Sequence, residues 1–180
     1  MARNLRAVEC RSRHTFVWGE AVKVLIVCKQ DQRAYNLAHE LLDRFAQEGV
    51  SATIWEEDLS LCNCSEVEIV LVLGGDGTII RVGRHFAWLN VPIMGINLGQ
   101  VGFLSSIEAE QAAVYVSKIV RKDWRLDERM MLSVKVIRDH QPIMDTSILN
   151  DIVLRTTVCH TVTVQLRING ETTATYRGDG

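Results

Sequence analysis

The residues best suited to chemistry lie where a hydrophobic run stops. Glu68-Ile69-Val70-Leu71-Val72-Leu73 leads straight into Gly74-Gly75-Asp76-Gly77-Thr78. Glycines between a strand and a helix let backbone N–H groups approach an anion closely, which is the architecture of a phosphate site. The two familiar phosphate loops are not written here. No Lys follows the glycines as G-x-x-x-x-G-K-[ST] requires, and Ile80 stands where G-x-G-x-x-G needs its third glycine. Asp76 sets this loop apart. A carboxylate repels phosphates, so its place among them needs a use: taking a proton from an attacking hydroxyl, or binding through Mg²⁺. The chemistry that fits is phosphoryl transfer to an alcohol. The competing reading is an ordinary β-turn with Asp76 as a turn residue.

The elements around this loop alternate. Val22 to Cys28 is a short β-branched run of the buried-strand kind, followed by Asp31 as a helix cap. Ala34, Leu37, Ala38, Leu41, Leu42, Phe45 and Ala46 recur with helical spacing and form one apolar face, with Gly49 as the stop. Ser51 to Trp55 and Glu68 to Leu73 read as strands, a short helix is expected from Thr78, Pro92 to Asn97 as a strand, and Ala109 to Arg121 as a helix. Strands alternating with helices imply a parallel sheet. The pattern changes near Trp124. Leu132 to Arg138, Ser147 to Leu154, Thr161 to Ile168 and Thr172 to Tyr176 read as strands with no helix between them, and Asn169-Gly170 is a hairpin turn. The expected fold class is α/β: a tail over 1–21, a Rossmann-like parallel-sheet layer over 22–121, and the first strands of an incomplete all-β domain over 122–180.

Two further motifs, together with the loop, carry a family resemblance. Gly74 to Thr78 after its strand resembles the signature of the NAD kinases and of the lipid kinases related to them. Gly95-Ile96-Asn97-Leu98-Gly99-Gln100-Val101-Gly102-Phe103-Leu104 is similar to the G-x-N-x-G-x-x-G-F-L of the NAD kinases, while the glycine-threonine-x-asparagine-aspartate stretch of the lipid kinases is absent. Glu128-Arg129-Met130-Met131-Leu132 and Leu149-Asn150-Asp151-Ile152-Val153 resemble two more family motifs, in the same order. The resemblance implies ATP-dependent phosphorylation of the adenosine ribose 2′-hydroxyl of NAD, giving NADP. It makes Asp76 the catalytic base and Gly74, Gly75, Gly77 and Thr78 the phosphate holders, with Mg²⁺ or another divalent cation offsetting charge. Asn97 belongs to a second loop at the same sheet edge. Phe103 beside it packs on adenine or into the core. Asn150 and Asp151 match the pair that grips the adenosine part, whose donors and acceptors suit an amide beside a carboxylate. His160, Arg177 and Asp179 fall at further substrate contacts. Arg177 suits a pyrophosphate, and His160 is equally readable as a solvent-facing strand residue. Arg129 is expected in a structural ion pair.

Composition narrows the remaining classes. The chain has 180 residues, 47% hydrophobic, with 20 basic against 22 acidic side chains. A net charge of −2 gives no global electrostatic reason to bind nucleic acid or an anionic membrane. Five scattered cysteines argue against a disulfide framework, and Cys62-Asn63-Cys64 lacks a second ligand pair. With no apolar h-region in the first twenty residues and no spanning run, a cytoplasmic location is expected. The family continues past the Asp-Gly at 179–180 into a Gly-Ser-Thr-rich substrate loop, so weak or no activity is expected of these residues alone, and a homo-oligomer of an intact protein. The alternatives are a lipid or sphingoid kinase relative, and a non-catalytic nucleotide-binding fragment that assembles with a full-length subunit.

Overall fold

A computed structural model describes residues 3–9, 23–55, 67–87, 89–99, 102–105, 107–154 and 161–178. The strands are β1 (Arg3–Glu9), β2 (Lys23–Cys28), β3 (Ser51–Trp55), β4 (Ile69–Leu73), β5 (Ile93–Asn97), β6 (Ile107–Glu108), β7 (Arg125–Arg138), β8 (Gln141–Ile148), β9 (Val162–Ile168) and β10 (Glu171–Gly178). The helices are α1 (Gln32–Gln47), α2 (Asp76–Phe86) and α3 (Ala112–Val120), the last entered through a 3₁₀ turn at Ala109–Gln111. The chain divides into two units, Met1–Leu149 and Asn150–Gly180.

In the first unit the sheet order is β3-β2-β4-β5-β1-β7-β8, with β6 beside β5. From β3 to β5 every pairing is parallel. Of these, β2, β4 and β5 are buried on both faces, which is why they read as continuous apolar runs. Val24, Ile26, Ile69, Leu71, Leu73, Met94 and Ile96 turn to the side covered by α1 and α3, where they meet Ala38, Leu41, Phe45 and Val116. Leu25, Val27, Val70, Val72 and Ile93 turn to the side of α2, where they meet Ile79, Val82 and Phe86. The predicted α/β layer is therefore present, and antiparallel strands follow it as expected.

Helix α1 shows how local signals set its ends. Asp31 Oδ1 accepts from the Ala34 N–H at 2.8 Å. At the other end Gly49 takes a positive φ of 71°, Gly49 N–H donates to Ala46 O and Val50 N–H donates to Phe45 O. That is a Schellman stop, with Phe45 and Val50 in one buried cluster. Of the predicted apolar face only Ala46 is exposed.

Three expectations are corrected. The expected tail contains β1, which pairs parallel with β5 at Ala7↔Ile93 and antiparallel with β7 from Arg3↔Met131 to Glu9↔Arg125. One strand thus joins the parallel layer to the antiparallel β7 and β8. Strand β7 is accordingly long: its first half pairs with β1 and its second with β8. The strand expected over Ser147 to Leu154 lies earlier, at β8, because the chain reverses at Asp139-His140, both with positive φ (50° and 62°). Asp and His are both enriched at positive φ, and positive φ at both central residues is the hairpin-favouring type. Residues 151–154 are irregular and exposed. Helix α2 starts at Asp76, two residues before the expected Thr78.

The second unit is the β9–β10 hairpin, turning at Asn169-Gly170 as predicted, with φ 52° and 90°. No helix among the described residues is long and apolar enough to cross a membrane.

The cap of α1 generates a pH prediction. The Ala34 N–H bond, with Lys29 adding to it, holds the Asp31 carboxyl below its ordinary value of 3.8 against a smaller opposing effect of desolvation. A folded value below the unfolded one means that the cap's stabilisation is complete above about pH 3.8 and lost as pH falls below it. Asp31→Ala is expected to lower Tm at pH 7, and its gap from the parent protein to shrink as pH is taken below 3.8 in thermal scans. Asp31→Asn should retain most of the cap without that pH dependence.

Candidate functional site

The loops that carry the chemical residues leave the C-terminal ends of neighbouring parallel strands. β2 is flanked by β3 on one side and β4 on the other, so the order of the chain reverses between β2 and β4. Ligands of open α/β sheets bind outside the strand ends at such a switch point. The loops there are laced by backbone bonds: Lys29 N–H to Leu73 O at 2.9 Å and Gly74 N–H to Ile96 O at 3.0 Å.

Gly74 closes β4 and Gly75 caps α2 with no side chain to satisfy the first-turn N–H groups. Those N–H groups and the positive end of the helix favour an anion, and Asp76 sits in this first turn. A Cβ on Gly74 would stand 2.8 Å from Thr78 Oγ1, so Thr78 packs directly over the turn. A Cβ on Gly75 or Gly77 would meet nothing within 4 Å, and neither residue has a positive φ. The chain itself imposes no need for glycine at these two positions. Their bareness leaves this stretch of backbone open to close approach from outside.

Asp76 faces the second loop. Its Oδ2 accepts from the Phe103 N–H at 2.8 Å and its Oδ1 from the Leu104 N–H at 3.1 Å. Bonds of this charged kind are worth about 1.5–3 kcal/mol each. Gly102 makes the grip possible. A Cβ there would overlap Asp76 Oδ1 and stand 2.6 Å from Asp76 Cγ. Each carboxylate oxygen gives one acceptor position to the loop and keeps another for a ligand.

Phe103 is 95% exposed, which removes the core alternative for its ring. Asn97 is 1% exposed and inward-facing. Its Nδ2 donates to Glu108 Oε2 at 3.1 Å and Oε1 at 3.3 Å, while its Oδ1 accepts from the Gly99 N–H at 3.2 Å. Asn97 therefore shapes the loop. Arg33 of α1 bonds the same loop through Leu98 O and reaches Glu110, each at 2.7 Å.

The structure thus gathers Gly74, Gly75, Asp76, Gly77, Thr78, Asn97 and Phe103 at one sheet edge. Asn150, Asp151 and Arg177 belong to the second unit. There Asn150 Nδ2 donates to Asp151 Oδ2 at 3.1 Å, Asn150 has a positive φ of 82°, and Arg177 lies on β10 opposite Thr163. His160 and Asp179 lie outside the described residues. Arg129 pairs with Asp127, Nε to Oδ2 2.6 Å, as expected of a structural ion pair. Sequence reasoning missed Arg33, Glu108 and Glu110. Arg33 lies 65 residues from Leu98 and 77 from Glu110 along the chain, so no local pattern signals those contacts. Among the described residues no group of three or more His, Cys, Asp or Glu side chains gathers as a metal cage.

Comparisons with known proteins bear on the family and the fold. The ATP-NAD kinase N-terminal domain family matches residues 23–124. The NAD kinase of Natranaerobius thermophilus is 35% identical over 158 residues, covering 86% of this chain and 52% of that protein. The NAD kinase of Trichlorobacter lovleyi is 40% identical over 114 residues, covering 63% of this chain and 40% of that protein. The chain spans about half the length of the curated relatives it matches. A crystal structure of yeast NADH kinase complexed with NADH has the same fold, with a TM-score of 0.66 and 15% identity, covering 97% of this chain and 58% of that one.

The contact at Gly102 is testable by contrast with its neighbour. Gly102→Ala is expected to destabilise by about 1–3 kcal/mol in urea unfolding, because the new methyl group displaces a held carboxylate. Gly99→Ala, whose Cβ meets nothing within 4 Å, should stay within about 0.5 kcal/mol of the parent.

Proposed function

The chain belongs to the ATP-NAD kinase family, and from that footing we propose that its site transfers the γ-phosphoryl group of ATP to the adenosine ribose 2′-hydroxyl of NAD, giving NADP. The observation that carries this reading is the bond between Asp76 and the backbone of Phe103. It ties a carboxylate able to accept a proton to an exposed aromatic ring able to stack on a base. Within an adenosine, the 2′-hydroxyl lies close to the adenine ring. A substrate whose base rests on Phe103 therefore brings its ribose hydroxyls near Asp76, which suits a nucleotide acceptor better than a lipid.

In the proposed reaction the hydroxyl gives its proton to the Asp76 carboxylate as its oxygen bonds to the γ-phosphorus. The bond from that phosphorus to the β,γ-bridging oxygen breaks, and ADP leaves. The bare backbone at Gly75 and Gly77 and the first-turn N–H groups of α2 suit the phosphates. Mg²⁺ or another divalent cation, held chiefly by the substrate phosphates, would offset their charge and leave Asp76 as the base. Asn150, Asp151, Arg177, His160 and Asp179 complete the proposal as contacts to the dinucleotide. The yeast structure holds NADH, a ligand of the same class.

The proposal extends to setting. Five scattered cysteines without the pattern of a disulfide framework suit the reducing cytoplasm. A homo-oligomer of the intact protein is supported by exposed Met130, Leu132, Val136 and Met144 on β7 and β8.

NADP formation from NAD and ATP by the intact protein is the direct test. Asp76→Asn is expected to lower kcat by about 10²–10⁴ while ATP and NAD binding, measured by calorimetry, persists. Phosphorylation of a sphingoid base or diacylglycerol instead of NAD, or undiminished turnover in Asp76→Asn, would sink the reading.

A further inference from the structure

The loop that grips Asp76 is itself held from outside by side chains on two other elements. Arg33, in the first turn of α1, donates from Nη1 to the Leu98 carbonyl and from Nη2 to Glu110 Oε1, both at 2.7 Å. At the start of the same loop, Glu108 on β6 receives the Asn97 amide, whose Oδ1 in turn accepts from the Gly99 N–H. Leu98 and Gly99 are thus fixed a few residues before the two N–H groups that hold Asp76.

The Arg33 contact is made in solvent. Its side chain is 58% exposed and that of Glu110 is 70% exposed. An ion pair between long exposed side chains adds little to stability, because water screens it and both chains lose freedom. What the fork geometry of a guanidinium supplies is direction: two acceptors on different segments share one rigid plane. The Glu108 contact differs. Asn97 is buried, so its amide needs a partner, and a carboxylate facing it across the β5–β6 pairing provides one.

We propose that Arg33 and Glu108 are positioning residues for Asp76. Arg33 holds the carbonyl side of the loop at Leu98, and Glu108 holds its amide side through Asn97. Together they keep the Phe103 and Leu104 N–H groups aimed at the carboxylate and the Phe103 ring at a fixed place beside it. The proposal rests on the kinase reading for its purpose, but the bonds it invokes are formed whatever the ligand.

Backbone hydrogen exchange in the 180-residue chain reads this positioning without needing turnover. In Arg33→Met, the Phe103 and Leu104 amides are expected to exchange about tenfold faster, while α1, β4 and Tm stay as in the parent. Arg33→Lys, with one ammonium for two separate acceptors, should fall between. Glu108→Ala is expected to speed exchange at Gly99, Phe103 and Leu104, and Glu108→Gln, which keeps an oxygen acceptor for Asn97, to restore it. Unchanged exchange at Phe103 and Leu104 in Arg33→Met and Glu108→Ala overturns the proposal. So does a uniform rise across the whole sheet, which marks residues that hold the fold and not the loop. Failure of the kinase reading would appear separately, as no NADP formation by the intact protein while these exchange patterns hold.

Discussion

A carboxylate held by two successive backbone N–H groups, with no room for a side chain on the residue before them, is the constraint on which the rest of the site depends. Asp76 belongs to the loop after β4, and Phe103 and Leu104 to the loop after β5. The two loops can meet because their strands are adjacent and parallel, paired up to Leu73↔Ile96. Parallel pairing sends both chains out at the same edge of the sheet, and the Gly74 N–H bond to Ile96 O carries the alignment past the last paired residue. Gly102 then allows the closest approach. Any side chain there would push the carboxylate away from its donors.

The sheet beneath supplies the rigidity this requires. Every residue of β4 and β5 is buried, and the layer is packed on one face by α1 and α3 and on the other by α2. Fully burying a large aliphatic side chain is worth about 1.5–3 kcal/mol, against roughly 0–1 kcal/mol for an exposed ion pair. Stability therefore comes from the core, and polar contacts such as Arg33 to Leu98 are left to set local geometry. Strand β8 and the residue after it are anchored to the same core. Leu149 packs with Phe86 and Val91, while Arg84 at the end of α2 bonds Ser147 O at 3.0 Å and Thr146 Oγ1 at 2.8 Å.

Much of this was legible along the chain because its signals are local. The cap at Asp31, the stop at Gly49, the continuous apolar strands and the Asn169-Gly170 turn each act within a few residues, and each is found where the pattern puts it. The glycine motif likewise announced its loop. Signals weaken where the deciding partner is distant. Residues 3–9 carry no strand pattern strong enough to read, and become a strand because β5 and β7 offer open edges on either side. Pro142 and a turn without glycine hid most of β8, although proline is tolerated near the end of an edge strand.

The order of residues by itself determined the periodicities, the turns and the types of group available for phosphate chemistry, since those depend on near neighbours. Which groups touch was decided only by the tertiary structure. Phe103 could equally have been core or surface until the loop's backbone turned inward to Asp76 and left the ring in solvent. Asn97 became a shaper of the loop because Glu108 pairs with it on a neighbouring strand. Arg33 reached Leu98 because α1, packed on one face of the sheet, brings its first turn to the loop after β5. Hydrogen bonds need alignment within a few tenths of an ångström, and for groups dozens of residues apart only the packed core provides it.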